Sequence, residues 1–233
     1  MTAPIILIAN TAGGSGKTTT AHALSVASAE YGKNVLAIDA DPSATLTFLN
    51  GIENPRVSVA ELLQDSSASQ SAMTKCPERF SLIAGASRAF GHNGSWDWIT
   101  ALRSDVDLIV IDTPSGPSPA LRDLATFATL TLIPLPNTFL ALRGAVHVMD
   151  FLASTKSNST IAILPVQSEG IQEVLRELLP GNISIIEPAI RSDNAILEAE
   201  STSRSVLTTS PQSGAASDYR EVTYSILEAV GLF

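Results

Sequence analysis

The sequence predicts a three-layer α/β fold, a doubly wound and mostly parallel sheet with helices on both faces. Three observations predict it. Short apolar runs alternate with amphipathic stretches along the chain, several of those runs lack an in–out alternation, and one ends in a glycine-rich turn that feeds a helical pattern. An unalternating apolar run is how a strand reads when both its faces are covered. Repeated strand–helix alternation calls for crossover helices packed on a parallel sheet.

In chain order the expected strands are 5–9, 34–38, 80–83, 108–111, 130–135, 161–164 and 183–186. The expected helices are 17–30, 59–63, 96–102, 119–128, 140–153, 171–178 and 215–230. Residues 124–142 carry no charge over 19 positions and imitate a membrane span. Two prolines, an asparagine and four threonines interrupt that stretch, and Arg122, Asp123 and Arg143 flank it. It therefore reads as a buried strand ending at Pro134-Leu-Pro136, followed by a new helix. Residues 65–78 are polar and serine-rich and read as a surface excursion, so residues 1–233 are expected to form a single domain.

Composition narrows the function classes. With 45% hydrophobic and 16% charged residues the chain has the balance of a folded domain. A net charge of −9 argues against a broadly basic nucleic-acid surface. Cys76 is the sole cysteine, which excludes a disulfide framework, a thiolate zinc cluster and an intramolecular cysteine pair for an iron–sulfur centre. It reads as an inert, half-buried thiol. The N-terminus lacks the basic and apolar segments of a signal peptide, so a cytoplasmic location is expected.

The chemistry starts at Gly13-Gly-Ser-Gly-Lys-Thr-Thr19, between an apolar run and a helical pattern. A strand that ends in such a turn gathers backbone N–H groups at a helix N-terminus, where unpaired donors and the helix dipole both favour a polyphosphate. Gly13, Gly14 and Gly16 let the backbone curl round the β-phosphate, with Ser15 between them. Lys17 would reach the β- and γ-oxygens, the Thr18 hydroxyl would hold Mg²⁺, and Thr19 would meet the α-phosphate. Two expected strands end in acids, Asp39 with Asp41 after the first and Asp112 at the second. Carboxylates at the C-terminal ends of parallel strands face the ligand crevice. Asp112 is expected at the metal through water, and Asp41 is a candidate to orient or deprotonate the attacking water.

With these residues in place the chain resembles the ParA/MinD family of deviant-Walker P-loop ATPases. The resemblance rests on the glycine-rich loop, on "VLAIDADP" with Asp41 placed 24 residues after Lys17, on "DLIVIDTPSG", and on the C-terminal stretch from Ala189 to Leu227. It implies a P-loop NTPase fold, ATP and Mg²⁺ as cofactors, and an ATP-dependent homodimer with two nucleotides sandwiched between subunits. It also implies an adaptor or ParB-like protein that stimulates hydrolysis. By the family match Asp41 is the hydrolytic-water residue and Asp39 an acid close behind the metal. The chain departs from the pattern at Ala12, where the family carries a signature lysine that crosses the dimer. A methyl group cannot neutralise charge on the β–γ bridge, so hydrolysis is weaker or another cation substitutes. Arg143 is the candidate, acting on the nucleotide in trans in the manner of an arginine finger, with an exposed helix-start arginine as the alternative. A subset of the family without the lysine, the McdA-like proteins that space carboxysomes over the nucleoid, matches at this point. Plasmid or chromosome partition stays open.

From residue 141 onward six basic residues face eleven acids. That is a thin supply for non-specific DNA binding, although Arg176, Arg191, Arg204 and Arg220 of two copies could assemble a patch. The C-terminus lacks the cationic amphipathic character of a membrane anchor. Gln167, after the sixth expected strand, is the candidate adenine contact. Two further readings stay open at this stage, a metabolic P-loop ligase of the dethiobiotin-synthetase kind and a nucleotide-locked dimer with very slow turnover.

Overall fold

The computed structural model describes residues 2–87, 94–155, 157–168, 175–177, 179, 181 and 183–233. Among the described residues eight strands form one sheet: β1 (Ile5–Ile8), β2 (Val35–Asp39), β3 (Thr74–Lys75), β4 (Ser81–Ile83), β5 (Leu108–Asp112), β6 (Leu130–Pro136), β7 (Thr160–Val166) and β8 (Ser184–Ile185). Their spatial order is β3-β4-β2-β5-β1-β6-β7-β8. All pairs are parallel except the short edge pair β3–β4.

The described helices are α1 (Lys17–Glu30), α2 (Thr45–Leu49), α3 (Val59–Leu62), α4 (Trp98–Leu102), α5 (Pro119–Phe127), α6 (Phe139–Ser154), α7 (Asn194–Ser201), α8 (Val206–Thr209) and α9 (Gly214–Ala229). Successive strand residues feed opposite faces of the sheet. Ile6, Ile8, Val110 and Leu132 pack with α1 and the C-terminal helices, while Ile5, Leu7, Ile109 and Ile133 pack with α4, α5 and α6. Each such side chain contributes about 1.5–3 kcal/mol on burial, which is why the strands read as apolar throughout.

The expected three-layer sheet is therefore present. Strand ends differ from expectation by one or two residues, with β6 running through Pro134 to Pro136. The expected 171–178 helix lies largely outside the described residues, of which 175–177 are helical. Three features depart from the sequence reading. Helices α2, α7 and α8 form where none was expected, and the 65–78 excursion is only partly on the surface. Ala72, Cys76 and Glu78 are buried, and β3 closes the sheet edge. Burial raises the Cys76 thiol to about 12, with the Glu78 charge adding to the shift, so the thiol is inert.

Topology sets the position of the site. Strand β1 lies between β5 and β6; the chain builds the β2 side first and then crosses to the β6 side. The crevice at the C-terminal end of β1 is thus the switch point, where ligands bind in open parallel sheets. Among the described residues no helix is long and apolar enough to cross a membrane.

Candidate functional site

Helix α1 starts differently from the longer helices that follow it. Helices α5, α6, α7 and α9 begin with side-chain caps, from Ser118, Thr138, Asp193 and Ser213. The residue that opens α1 is Gly16, left-handed at φ 83°, with no side-chain cap. Gly14 is also left-handed, at φ 68°. A Cβ is costly in that region, and the uncapped first-turn amides point into the crevice as ready donors for an anion.

Neighbouring elements hold the loop from both sides. Asn10 accepts the Ala12 N–H at 2.9 Å through Oδ1 and donates through Nδ2 to the carbonyls of Pro134 and Ala141 at 2.9 and 3.2 Å. Helix α6 touches the loop at Gly144, where a Cβ would lie 2.2 Å from Asn10 Oδ1 and 2.7 Å from the Ala12 nitrogen. Lys17 is buried, and its Nζ donates to the Ala12 carbonyl at 3.2 Å and to Ser115 Oγ at 3.0 Å. Burial draws its ammonium below the ordinary value, against the pull of Asp112 and Asp41.

Two carboxylates close adjacent strands at the same end of the sheet. Asp39 and Asp112 stand in register on adjacent strands and are fully buried. Thr18 Oγ1 donates to Asp112 Oδ2 at 2.7 Å, while Asp112 Oδ1 has no hydrogen-bond partner. Asp39 Oδ2 accepts from the Thr47 N–H at 2.8 Å and the Thr47 hydroxyl at 2.7 Å, and that hydroxyl accepts from the Gly85 N–H at 2.8 Å. Asp39 Oδ1 accepts from the Asp41 N–H at 3.2 Å, so Asp39 also places the start of the segment carrying Asp41. Asp41 itself accepts from the Ser43 N–H at 2.8 Å.

Burial raises Asp39 to about 6 against the Thr47 hydrogen bonds, with the Asp41 charge adding to the rise. Burial, then the Asp39 charge, holds Asp112 well above the ordinary carboxylate range. Paired buried carboxyls with an orphan oxygen and a threonine hydroxyl at one edge form the hard-oxygen donor set that a divalent cation suits.

Beside the loop a cavity of about 140 Å³ opens between Gly14, Thr19, Val166, Gln167, Glu200 and Tyr219. Gln167, the expected adenine contact, lines this cavity. Glu200 and Tyr219 escaped the sequence reading, as did Thr47 and Ser115. The Asp193 cap ahead of Ile196 and Ala199 was the one local signal for α7 and hence for Glu200.

Arg143 lies on an exposed turn of α6, one residue before the Gly144 contact with the loop. No hydrogen bond or ion pair to another site residue is formed by its guanidinium among the described residues. Of the arginines expected to gather on DNA, Arg176 pairs with Glu187, Arg191 with Asp218 and Arg220 with Glu30.

An open parallel sheet with an uncapped glycine-rich helix start at its switch point, a buried lysine and acid-ended strands defines a P-loop nucleotide-binding domain. Residues 6–209 match the sequence model of the CobQ/CobB/MinD/ParA nucleotide binding domain, and the chain belongs to that family. It is 34% identical over 145 residues to an ATP-binding protein of Methanocaldococcus jannaschii, a match that spans 58% of this chain and 54% of that protein. It is 26% identical over 258 residues to the maintenance of carboxysome distribution protein A of Synechococcus elongatus, covering 97% of this chain and 98% of that one. The cell division ATPase MinD of Pyrococcus furiosus shares the fold with a TM-score of 0.86 at 22% identity, over 97% of this chain and 99% of that one.

Proposed function

We propose that the protein is a Mg²⁺-dependent ATPase that switches between a monomer and an ATP-sandwich homodimer, and so positions or segregates a large cargo. The observation that carries the reading is the coupling of three groups at one point. Lys17 is buried on the loop, Thr18 is bonded to Asp112, and the second Asp112 oxygen is unpartnered at the crevice. In this reading the amides of Gly13, Gly14, Ser15 and Gly16 hold the phosphates, and Lys17 counters the β- and γ-charge. Thr18 and Asp112 would hold Mg²⁺, which supplies charge neutralisation on the phosphoryl oxygens. Thr19 faces the α-phosphate, Asp41 orients the attacking water, and Asp39 holds the Asp41 backbone through its N–H.

At Ala12 there is no cation for the partner subunit. Arg143, exposed beside the loop without an ion-pair partner among the described residues, is assigned that place in trans. The likeness to the carboxysome distribution protein supports cargo spacing; in this reading the protein works in the cytoplasm over the nucleoid, with an adaptor or ParB-like stimulating partner. Partition of plasmid or chromosome DNA is the companion reading within the same mechanism. Direct non-specific DNA binding draws little support, because Arg176, Arg191 and Arg220 are each occupied by an acid.

Size-exclusion chromatography with light scattering in ATP and in ADP, paired with phosphate release, tests the proposal. The expected result is an ATP-dependent dimer with slow release, and at least tenfold slower release in Arg143→Ala. A dimer without release supports the nucleotide-locked reading. A monomer in both nucleotides sinks the switch, and an unchanged Arg143→Ala variant removes the arginine from it.

A further inference from the structure

The cavity beside the phosphate loop contains a carboxylate that the hydrolytic chemistry does not use. Glu200, on α7, accepts a hydrogen bond from Thr19 Oγ1 at 3.2 Å and forms no ion pair among the described residues. Thr19 is the residue that faces the first phosphate in the reading above, so Glu200 stands a few ångströms from where phosphate charge would lie. An unpaired negative charge there opposes nucleotide binding unless the ligand itself brings donors to it.

Nucleotide anatomy restricts which donors those are. The apolar part of the cavity wall, with Val166, Ile190 and Ile196, suits a flat ring, and Tyr219 is buried behind Thr20 at 3.5 Å between hydroxyls. Within one sugar's reach of the first phosphate the donors that a nucleoside triphosphate offers are its ribose hydroxyls. Base-edge amines lie farther out along the nucleotide, beyond the sugar.

We infer that Glu200 accepts hydrogen bonds from the ribose hydroxyls and makes the pocket select ribonucleotides over deoxyribonucleotides. The inference rests on the nucleotide-binding reading of the loop and adds to it a residue that sets specificity. The same carboxylate accepts from Thr19 Oγ1 in the structure. Binding trades that contact for the sugar, and the Thr19 hydroxyl turns to the phosphate. Sites built to pair with a ligand hydroxyl discriminate strongly against the ligand that lacks it, because the protein group is then left without its partner.

Calorimetric titration of ATP, 2′-deoxy-ATP and 3′-deoxy-ATP in Mg²⁺, on the parent protein and on Glu200→Ala and Glu200→Gln, tests this. The parent protein is expected to bind ATP about tenfold more tightly than at least one deoxy analogue. Glu200→Ala is expected to bind all three alike, at the weaker level, and Glu200→Gln to fall between. The side chain is exposed, so the melting temperature of both variants should match the parent and separate a lost contact from a lost fold. Equal affinity of the parent for all three nucleotides overturns the ribose assignment alone. So does tighter ATP binding by Glu200→Ala, which would make the carboxylate only a repulsive group. No heat with any nucleotide overturns the nucleotide reading beneath it.

Discussion

The two flanks of α1 treat charge in opposite ways. Toward the C-terminal helices several charged groups are paired. Glu78 accepts from His22 at 2.7 Å, from the Ser205 N–H at 3.0 Å and from the Thr208 hydroxyl, Arg191 is bidentate on Asp218, and Arg220 is bidentate on Glu30. Toward the crevice the pairing is incomplete. Asp112 has an orphan oxygen, Asp39 and Asp112 stand side by side on adjacent strands, and the first turn of α1 has no side-chain cap. A buried polar group without a partner costs about 1–3 kcal/mol, so a fold retains several in one place only where something else completes them. The paired flank has the character of scaffold, and the incompletely paired flank carries the proposed site.

Substitutions on each flank should fail differently. Gly144→Ala places a Cβ 2.2 Å from Asn10 Oδ1, against the loop itself. Overpacking there is expected to cost about 2–3 kcal/mol in urea unfolding and to weaken nucleotide binding more than tenfold, since α6 must withdraw from the loop. Normal affinity in that variant would show that the loop tolerates the displacement of α6.

Glu78→Gln touches the other flank and should cost stability alone, about 1–2 kcal/mol near neutral pH, with affinity for nucleotide retained. Burial by itself would raise the Glu78 carboxyl, but the hydrogen bond and charge of His22, with Thr208 and Ser205, hold it below its ordinary value of 4.5. A depressed carboxyl stabilises the fold above the unfolded-state value and loses that contribution as pH falls through the folded one. The gap between parent and variant should therefore be full near neutrality and shrink as pH drops below about 4.5. A gap that widens on acidification would show that Glu78 is not held as an anion.

Legibility from sequence follows the same divide. The β1–loop–α1 unit was readable because its signal is local: a strand, glycines where backbone must turn left-handed, then Lys17, Thr18 and Thr19 in consecutive order. The acids closing β2 and β5 were readable because parallel strands deliver their C-terminal residues to one edge. The cavity walls were not, because Glu200 and Tyr219 reach Thr19 and Thr20 from 181 and 199 residues away, and no local pattern encodes that meeting. Glu78 was hidden in a serine-rich segment whose polar character suggested a surface. Tertiary contacts with His22 and α8 override that suggestion. The arginines counted toward a DNA patch were visible as charges, but their acid partners on other elements were not.

Central to the proposed function is that a magnesium-bound nucleotide completes the incompletely paired flank. Titrating ATP into the parent protein with and without Mg²⁺, and into Lys17→Ala with Mg²⁺, measures that directly. The prediction is saturable heat that weakens markedly when Mg²⁺ is withheld, with affinity at least 100-fold lower in Lys17→Ala. No heat in the parent, or the same isotherm from Lys17→Ala, would contradict it.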